Sequence, residues 1–551
     1  MIASKTRADL RTSVTPSRVD YVAIFGVALA IRCLYVASIS DSPSFAHLQT
    51  EPAHYAGWAA RIASGHAPLP PFEQAPGFAY FCALVSSLFG RSVSTLAYVQ
   101  AFSGALTCVG IAKIAGDLRG RKARYVAGAL AAAYGPFIYF TGEVLPETLF
   151  VCVCTLAVAA STPSERASGD GAPTTRSWWI AGSLWALAFA VRVNVLFALP
   201  FIVYDAWKRG GRRATVHVLA PLVIVWSALV CLNALHSHRL VLTVTSGGEN
   251  LWLGNNGLAD GVNPFPPEAA QATLESVASN SRDTIDSDAH MRGLALDFIA
   301  HHPSRAMSLV WKKLVWTWND RELPNAADVE WQERRSWMFG GTPMLPVGFG
   351  VILPFAIAGL FAARGLGRRT ILLAGLVAVG VGSSVVFFTN GRFRIIAVPS
   401  LLVMASIALT ADWKGWLRRH RPASRLGLAA VVAAAAWLAW GDFYGISKYW
   451  IPELAVNTGI WQREDGQLQE ATASFRRALD VHPNDDIARI DLALTLEQQG
   501  KIDDALQTYV SWLREAPDDD TVRKAAEAFV QRHSREILAS RKTPPRKVGS
   551  Q

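Results

Sequence analysis

At 551 residues the chain is 51% hydrophobic and only 17% charged, a balance too apolar for an ordinary soluble protein of this size; it reads as a polytopic membrane protein. A net charge of +10 would suit nucleic acid if it lay along one face. Here the basic residues sit in short clusters between apolar runs, which is the pattern of membrane topology and argues for no nucleic-acid partner.

In chain order, residues 1–18 form a basic tail and are followed by an apolar run at 19–39. Small residues just after that run ("ASIS") resemble a signal-peptidase site, but removing the run would invert every later loop against the charge rule, so it is kept as an anchor. Measured against the roughly 20 residues a spanning helix needs, further runs lie near 93–115, 124–141, 144–161, 214–234, 344–363, 371–389, 395–412 and 426–443. The stretch Trp178 to Trp207 is longer than one span and is interrupted by Arg192 and Asn194. It reads as two short helices in a hairpin, because a guanidinium at mid-membrane costs a few kcal/mol. The total is about eleven spans. The six cysteines (Cys33, Cys82, Cys108, Cys152, Cys154, Cys231) fall in or beside these runs and read as packing residues.

Orientation follows from the loops. The N-terminus, "DLRGRKAR", the 161–177 loop, "KRGGRRA", "RGLGRR" and "KGWLRRHRPASR" together hold 22 Lys and Arg. That side is expected to be cytoplasmic, in the inner membrane, with Glu51, Glu143, Glu147, Arg192 and Arg392 facing outward. A large outer loop at 236–343 contains "RLVLTVT", a short β-branched run that suits a strand, and Gly and Asn clusters that suit turns.

From residue 452 onward the chain repeats. Gly466 and Gly500, Ala471 and Ala505, Phe475 and Tyr509, Leu479 and Leu513, and Pro483 and Pro517 are each 34 residues apart, the tetratricopeptide period. Two units and a terminal helix are readable over 452–538, and 539–551 reads as a flexible tail outside the cytoplasm. The expected fold is therefore an all-α polytopic membrane protein, its membrane domain at 19–445, with a mixed outer loop and a C-terminal α-helical tetratricopeptide domain that offers a surface to a protein partner.

There is no Walker loop and no HExxH, and the glycines of "VAVGVGSS" lie inside a span. What stands out is ionisable residues at the outer ends of several spans. In "EPAHYAGWAARIASG", Tyr55, Trp58, Ala59 and Ile62 recur at helical spacing, with His54 and Arg61 off that face. Pro52 suits the first helical position and Gly65 the stop, so this is a helix lying in the outer interface with Glu51 at its N-terminus. From this stretch alone, Glu51 as a cap and Glu51 as a catalyst are equally supported. In "GEVLPETLF", Glu143 and Glu147 share a face if both belong to one helix; the competing reading is an exposed turn with two solvated glutamates, favoured for Glu143. In "TNGRFRIIAVP", Arg392 and Arg394 suit the forked binding of a lipid-linked phosphate, and headgroup anchoring is the plain alternative.

Taken in order, "EPAHYAGWAARIASG", "APGFAYFCALVSSLFG", "GEVLPETLFV", "LAFAVRVNVLFALP", "SGGENLWLGNNGLADG", "WKKLVWTWNDRELPN" and "GRFRIIAVPSLL" resemble the polyprenyl-phosphate-sugar-dependent glycosyltransferases of the C-type membrane fold. The nearest likeness is to the Rgt-like branch related to protein O-mannosyltransferases and the lipid A aminoarabinose transferase. It spans roughly residues 19–412, and "GGENLWLGNN" and "GRFRI" are its most specific pieces. The resemblance implies that Glu51 is the catalytic carboxylate, with Tyr55 beside it, and that Glu147 is a second acidic catalytic position. The family usually has aspartate where Glu51 stands. The same resemblance implies substrate binding by Arg192, Asn250, Asn255, Lys313, Glu322, Arg392 and Arg394.

The implied reaction takes a sugar from a polyprenyl phosphate to a glycan, lipid or protein acceptor on the outer face, with inversion and Glu51 as general base. The leaving lipid phosphate is already an anion, so no cofactor or metal is required, although a divalent metal is compatible with the sequence. Two other classes fit part of the pattern. A lipid-linked sugar transporter would explain many spans with intramembrane charges, but no inverted repeat is visible. An interaction protein that is merely anchored would need one span rather than about eleven.

Overall fold

The computed structural model describes residues 18–66, 70–162, 173–262, 268–323, 336–340, 347–363, 366, 370–448, 452–480, 482–515 and 520–540. The basic tail at 1–17 and the C-terminal tail from 541 lie outside the described residues. The chain divides into two compact units, Met1–Ser40 with Thr50–Asn325 and Gln332–Tyr449, and Asp41–Gln49 with Ala326–Trp331 and Trp450–Gln551.

The first unit is all helix among the described residues. Five helices are long and apolar enough to cross a membrane: Arg18–Ile39, Val93–Arg119, Val193–Ser237, Gly391–Leu409 and Pro422–Ile446. Four shorter apolar helices, Gly77–Phe89, Glu147–Ser161, Phe349–Ala362 and Ile371–Val386, accompany them. This is a multi-pass membrane protein. The break expected at Arg192 is present: Thr175–Val191 ends at Arg192, whose backbone is extended (φ −150°, ψ 120°), and a helix resumes through Val193–Ala198 into Leu199–Ser237.

Two expectations are corrected. The run at 124–141 is not one span but Arg121–Ala133 and Gly135–Gly142, parted at Tyr134 (ψ 113°). Pro136 has no N–H to give the Ala132 carbonyl, and the Gly135 N–H donates to the Val347 carbonyl at 3.4 Å rather than to Ala131, whose carbonyl accepts from the buried Arg32 at 3.3 Å. The expected strand in "RLVLTVT" does not form, and among the described residues the only β pairing is an isolated bridge between Tyr134 and Val347. Its backbone partners lie elsewhere. Asn233 Nδ2 donates to the carbonyls of Val241 (3.3 Å) and Thr243 (2.9 Å), and the Thr245 N–H donates to the Phe72 carbonyl (3.0 Å). Among its described residues the 236–343 region is therefore helical, with Gly247–Gly254, Glu268–Asn280, Thr284–His301 and Pro303–Thr317.

The second unit contains the repeat helices Pro452–Glu464, Leu468–Leu479, Asp486–Gln498, Ile502–Glu515 and Asp520–Ser540. The 34-residue spacing has a structural cause. Gly466 (φ +77°) and Gly500 (φ +74°) take the same left-handed turn between paired helices, where a side chain would be strained. Ala471 with Phe475, and Ala505 with Tyr509, are all buried in one core.

Candidate functional site

The helix Thr50–Ala63 forms as its periodicity requires, with Pro52, Tyr55 and Ala59 buried, Trp58 and Ile62 half-buried and Arg61 exposed. Tyr55 packs edge-on against Phe78 at 5.0 Å between ring centres. Glu51, one turn before Tyr55, lies in the first helical turn. Glu147 opens the helix Glu147–Ser161 directly after Pro146 and is 1% exposed. Glu143 belongs to neither helix: it follows Gly142 in extended backbone and is buried, so the shared glutamate face and the solvated turn are both corrected. Gln100 Nε2 donates to the carbonyls of Thr141 (3.3 Å) and Glu143 (2.6 Å), and the Thr148 hydroxyl donates across the corner to the Phe140 carbonyl at 2.8 Å.

Arg392 stands on a single helical turn, Gly391–Arg394, started by Asn390, whose side-chain oxygen accepts the Phe393 N–H at 2.9 Å. Its guanidinium meets both glutamates. Nε donates to Glu147 Oε1 at 2.7 Å, while Nη1 and Nη2 donate to Glu51 Oε2 and Oε1, the second at 3.0 Å. Arg192 Nη2 donates to the same Glu147 Oε1, and its guanidinium lies over the Phe393 ring at 5.9 Å. Residues from four separate parts of the chain thus form one cluster of two carboxylates and two guanidinium groups.

A cavity of about 190 Å³ opens beside this cluster, lined by Glu51, Tyr55, Arg192, Asn250 and Arg392 together with Gln74, Asn194, Ser246, Phe387, Phe388 and Phe393. Burial alone would raise the Glu51 carboxyl, but the Arg392 charge and hydrogen bonds, with Arg192 and His54, outweigh it and hold the group below the ordinary carboxylate range. Burial and the Glu51 charge push the Tyr55 phenol well above its ordinary value, so it remains an O–H donor.

Four expected binding residues lie off the cavity wall. Lys313 is fully buried, and its Nζ donates to Asn255 Oδ1 (3.0 Å) and the Val385 carbonyl (3.2 Å). Burial pulls its amine down to about 7. Asn255 in turn donates to the carbonyls of Leu251 (2.7 Å) and Val386 (2.9 Å), so the pair ties Gly247–Gly254 to the end of Ile371–Val386. Arg394 points away from Arg392. It bonds Glu322 Oε1 at 2.6 Å and the carbonyls of Asn319 and Arg321, and stacks on Phe349 at 4.2 Å. Burial raises the Glu322 carboxyl, opposed by Arg394. A Cβ on Gly391 would meet Glu322 Oε2 at 2.4 Å, so this turn accepts only glycine there without rearrangement.

Gln74, Ser246 and the three phenylalanines were not singled out from the sequence. Phe393 sits inside "GRFR" and Asn194 inside "VRVNV", so those two had a local signal; Gln74 had none. Among the described residues no three His, Cys, Asp or Glu side chains converge as a metal site.

Residues 73–236 match the dolichyl-phosphate-mannose-protein mannosyltransferase family, a stretch that includes Gln74, Glu147 and Arg192 but neither Glu51 nor Arg392. Residues 462–528 match the tetratricopeptide repeat. No curated protein matches the chain in sequence. Among solved structures, the chain is similar to the oligosaccharyltransferase of Archaeoglobus fulgidus in its apo form, at 14% identity and a TM-score of 0.41, covering 76% of this chain and 54% of that one. It therefore spans about half the length of that protein. It is also similar to ArnT from Cupriavidus metallidurans bound to undecaprenyl phosphate, at 14% identity and a TM-score of 0.40, covering 90% and 80% of the two chains. Residues 73–236 thus share the sequence pattern of the dolichyl-phosphate-mannose-protein mannosyltransferase family, and residues 462–528 that of the tetratricopeptide repeat.

Proposed function

We propose that the protein transfers a sugar from a polyprenyl-phosphate donor to an acceptor hydroxyl at the outer face of the cytoplasmic membrane, with inversion at the anomeric carbon. The observation that carries this reading is that Glu51 is bonded to Arg392 and that both line one cavity with Arg192. The arginines hold the donor's phosphate and stabilise the charge that grows on it as the bond to the sugar breaks. Glu51 accepts the proton of the attacking hydroxyl. Tyr55, a neutral donor one helical turn away, orients a sugar or acceptor oxygen. The acceptor is a glycan, a lipid or a protein, and the tetratricopeptide repeats, outside the cytoplasm on the same topology, recruit a protein partner.

Purified protein is incubated with labelled polyprenyl-phosphate sugars and envelope acceptors, and transfer is read as loss of lipid-linked label. Glu51→Gln is expected to lower transfer by about 10²–10⁴-fold, the usual contribution of a general base, while insertion and melting temperature are retained. Normal turnover in that variant refutes the base assignment. Loss of label from one membrane face without any glycosylated product would replace transfer with transport.

A further inference from the structure

The two glutamates hold Arg392 in different ways. Glu147 takes the Nε edge at 2.7 Å with the same oxygen that accepts from Arg192, and its side chain is 1% exposed. Glu51 takes the opposite edge, the Nη1 and Nη2 fork, with both of its oxygens; its side chain is 22% exposed and lines the cavity. The fork is the edge that fits two phosphate oxygens by parallel bonds. In the structure it is already taken by the Glu51 carboxylate. Arg192 lines the same cavity, and its Nε has no hydrogen-bond partner among the described residues.

Charge points the same way. The two guanidinium and two carboxylate groups balance one another. A phosphodiester entering beside them adds a negative charge in a water-poor place, where like charges disfavour keeping every anion ionised. Glu147 is enclosed and bonded to both arginines, so the carboxylate able to leave is Glu51.

Resting on the donor reading above, we infer that the lipid-linked phosphate takes the place of Glu51 on the fork of Arg392, which frees Glu51 as a base only when donor is bound, while Glu147 is a positioning residue that keeps Arg192 and Arg392 together throughout. Paired to Arg392, Glu51 is a weak base, because that ion pair and the charges of Arg192 and His54 favour its ionised form. Tyr55 and Glu147 are the other titratable groups facing the cluster. Once Arg392 turns to phosphate, burial becomes the main influence on Glu51 and its proton affinity rises. The step balances. The acceptor oxygen bonds the anomeric carbon, its proton passes to Glu51, and the bond from that carbon to the phosphate oxygen breaks with the electron pair staying on phosphate. When Glu51 then loses its proton to water, the restored carboxylate competes for Arg392 and helps to expel the lipid phosphate.

The test titrates full-length protein in detergent with a polyprenyl methyl phosphodiester, a probe with one charge and no exchangeable proton near neutral pH. Calorimetry in buffers of different ionisation enthalpy reports affinity and protons exchanged. Wild type is expected to take up protons on binding, increasingly so toward mildly acid pH. Glu51→Gln and Glu51→Ala are expected to take up none and to bind about tenfold more tightly, the equivalent of one competing charge-assisted hydrogen bond. Glu147→Gln is expected to bind several-fold more weakly with proton uptake retained, a combination that simple loss of folded protein does not produce. Equal affinity and equal proton count in wild type and both Glu51 variants overturns the exchange and leaves the donor reading standing. Wild-type affinity in Glu147→Gln overturns its positioning role. Absence of probe binding by wild type whose melting transition is intact overturns the donor reading and the exchange with it.

Discussion

Replacing Arg392 by lysine keeps the positive charge and removes the fork. Arg392 makes three N–H donations to two carboxylates, with Nε serving Glu147 and the two Nη atoms serving Glu51. A lysine ammonium is a single point and cannot span both partners and a phosphate in the same planar geometry. The loss on the donor side is one charge-assisted hydrogen bond, about 1.5–3 kcal/mol. At about 1.36 kcal/mol per tenfold, kcat/KM for the lipid-linked sugar falls roughly 10- to 150-fold. Because negative charge on the phosphate oxygen grows as the glycosidic bond breaks, kcat falls as well as donor affinity. Steady-state transfer with purified protein and a labelled polyprenyl-phosphate sugar measures both. A kcat/KM within twofold of wild type refutes the view that Arg392 grips phosphate by its fork.

Arg394→Lys is expected to reduce kcat/KM less than Arg392→Lys does, since Arg394 faces Glu322 and the carbonyls of Asn319 and Arg321 rather than the cavity; an equal or larger loss in the same assay contradicts this. The Lys313 amine is pulled from 10.5 to about 7 by burial. The unfolded chain therefore binds the extra proton between those values, and stability rises with pH over that window. Thermal melting of wild type is expected to improve from pH 7 toward more alkaline values, and Lys313→Met to lose that slope; parallel slopes refute the assignment. Phe475→Ala empties a fully buried position in the repeat core at a cost of about 3–5 kcal/mol. In full-length protein this is expected to expose the repeat region to limited proteolysis while sugar transfer persists.

The 34-residue repeat was legible because it recurs locally. Each unit needs a left-handed glycine between its helices and an aromatic in the same core, and Gly466, Gly500, Phe475 and Tyr509 repeat in register. The helix at Thr50–Ala63 was legible for a similar reason, since its buried face is a period of three and four residues. The interruption at Arg192 followed from the cost of a guanidinium in hydrocarbon. The strand expected in "RLVLTVT" failed because β-branched composition does not supply a partner strand. Asn233, on the preceding helix, and Phe72, distant in sequence, took its backbone groups instead.

The charged pairs divide along the same line. Charge and hydropathy are properties of neighbours in the chain, so the sequence was enough to show glutamates and arginines at the ends of apolar runs. It took the tertiary structure to bring Glu51, Arg192 and Arg392 to one cavity with Glu147 bonded to both arginines, while Lys313 and Asn255 lock each other and Arg394 turns to Glu322. Arg392 and Arg394 are two residues apart on a helical turn and so point in different directions, and which of them reaches the cavity depends on what packs on each side. A hydrogen bond between Arg392 and Glu51 joins positions 341 residues apart, and no local pattern encodes a contact of that range.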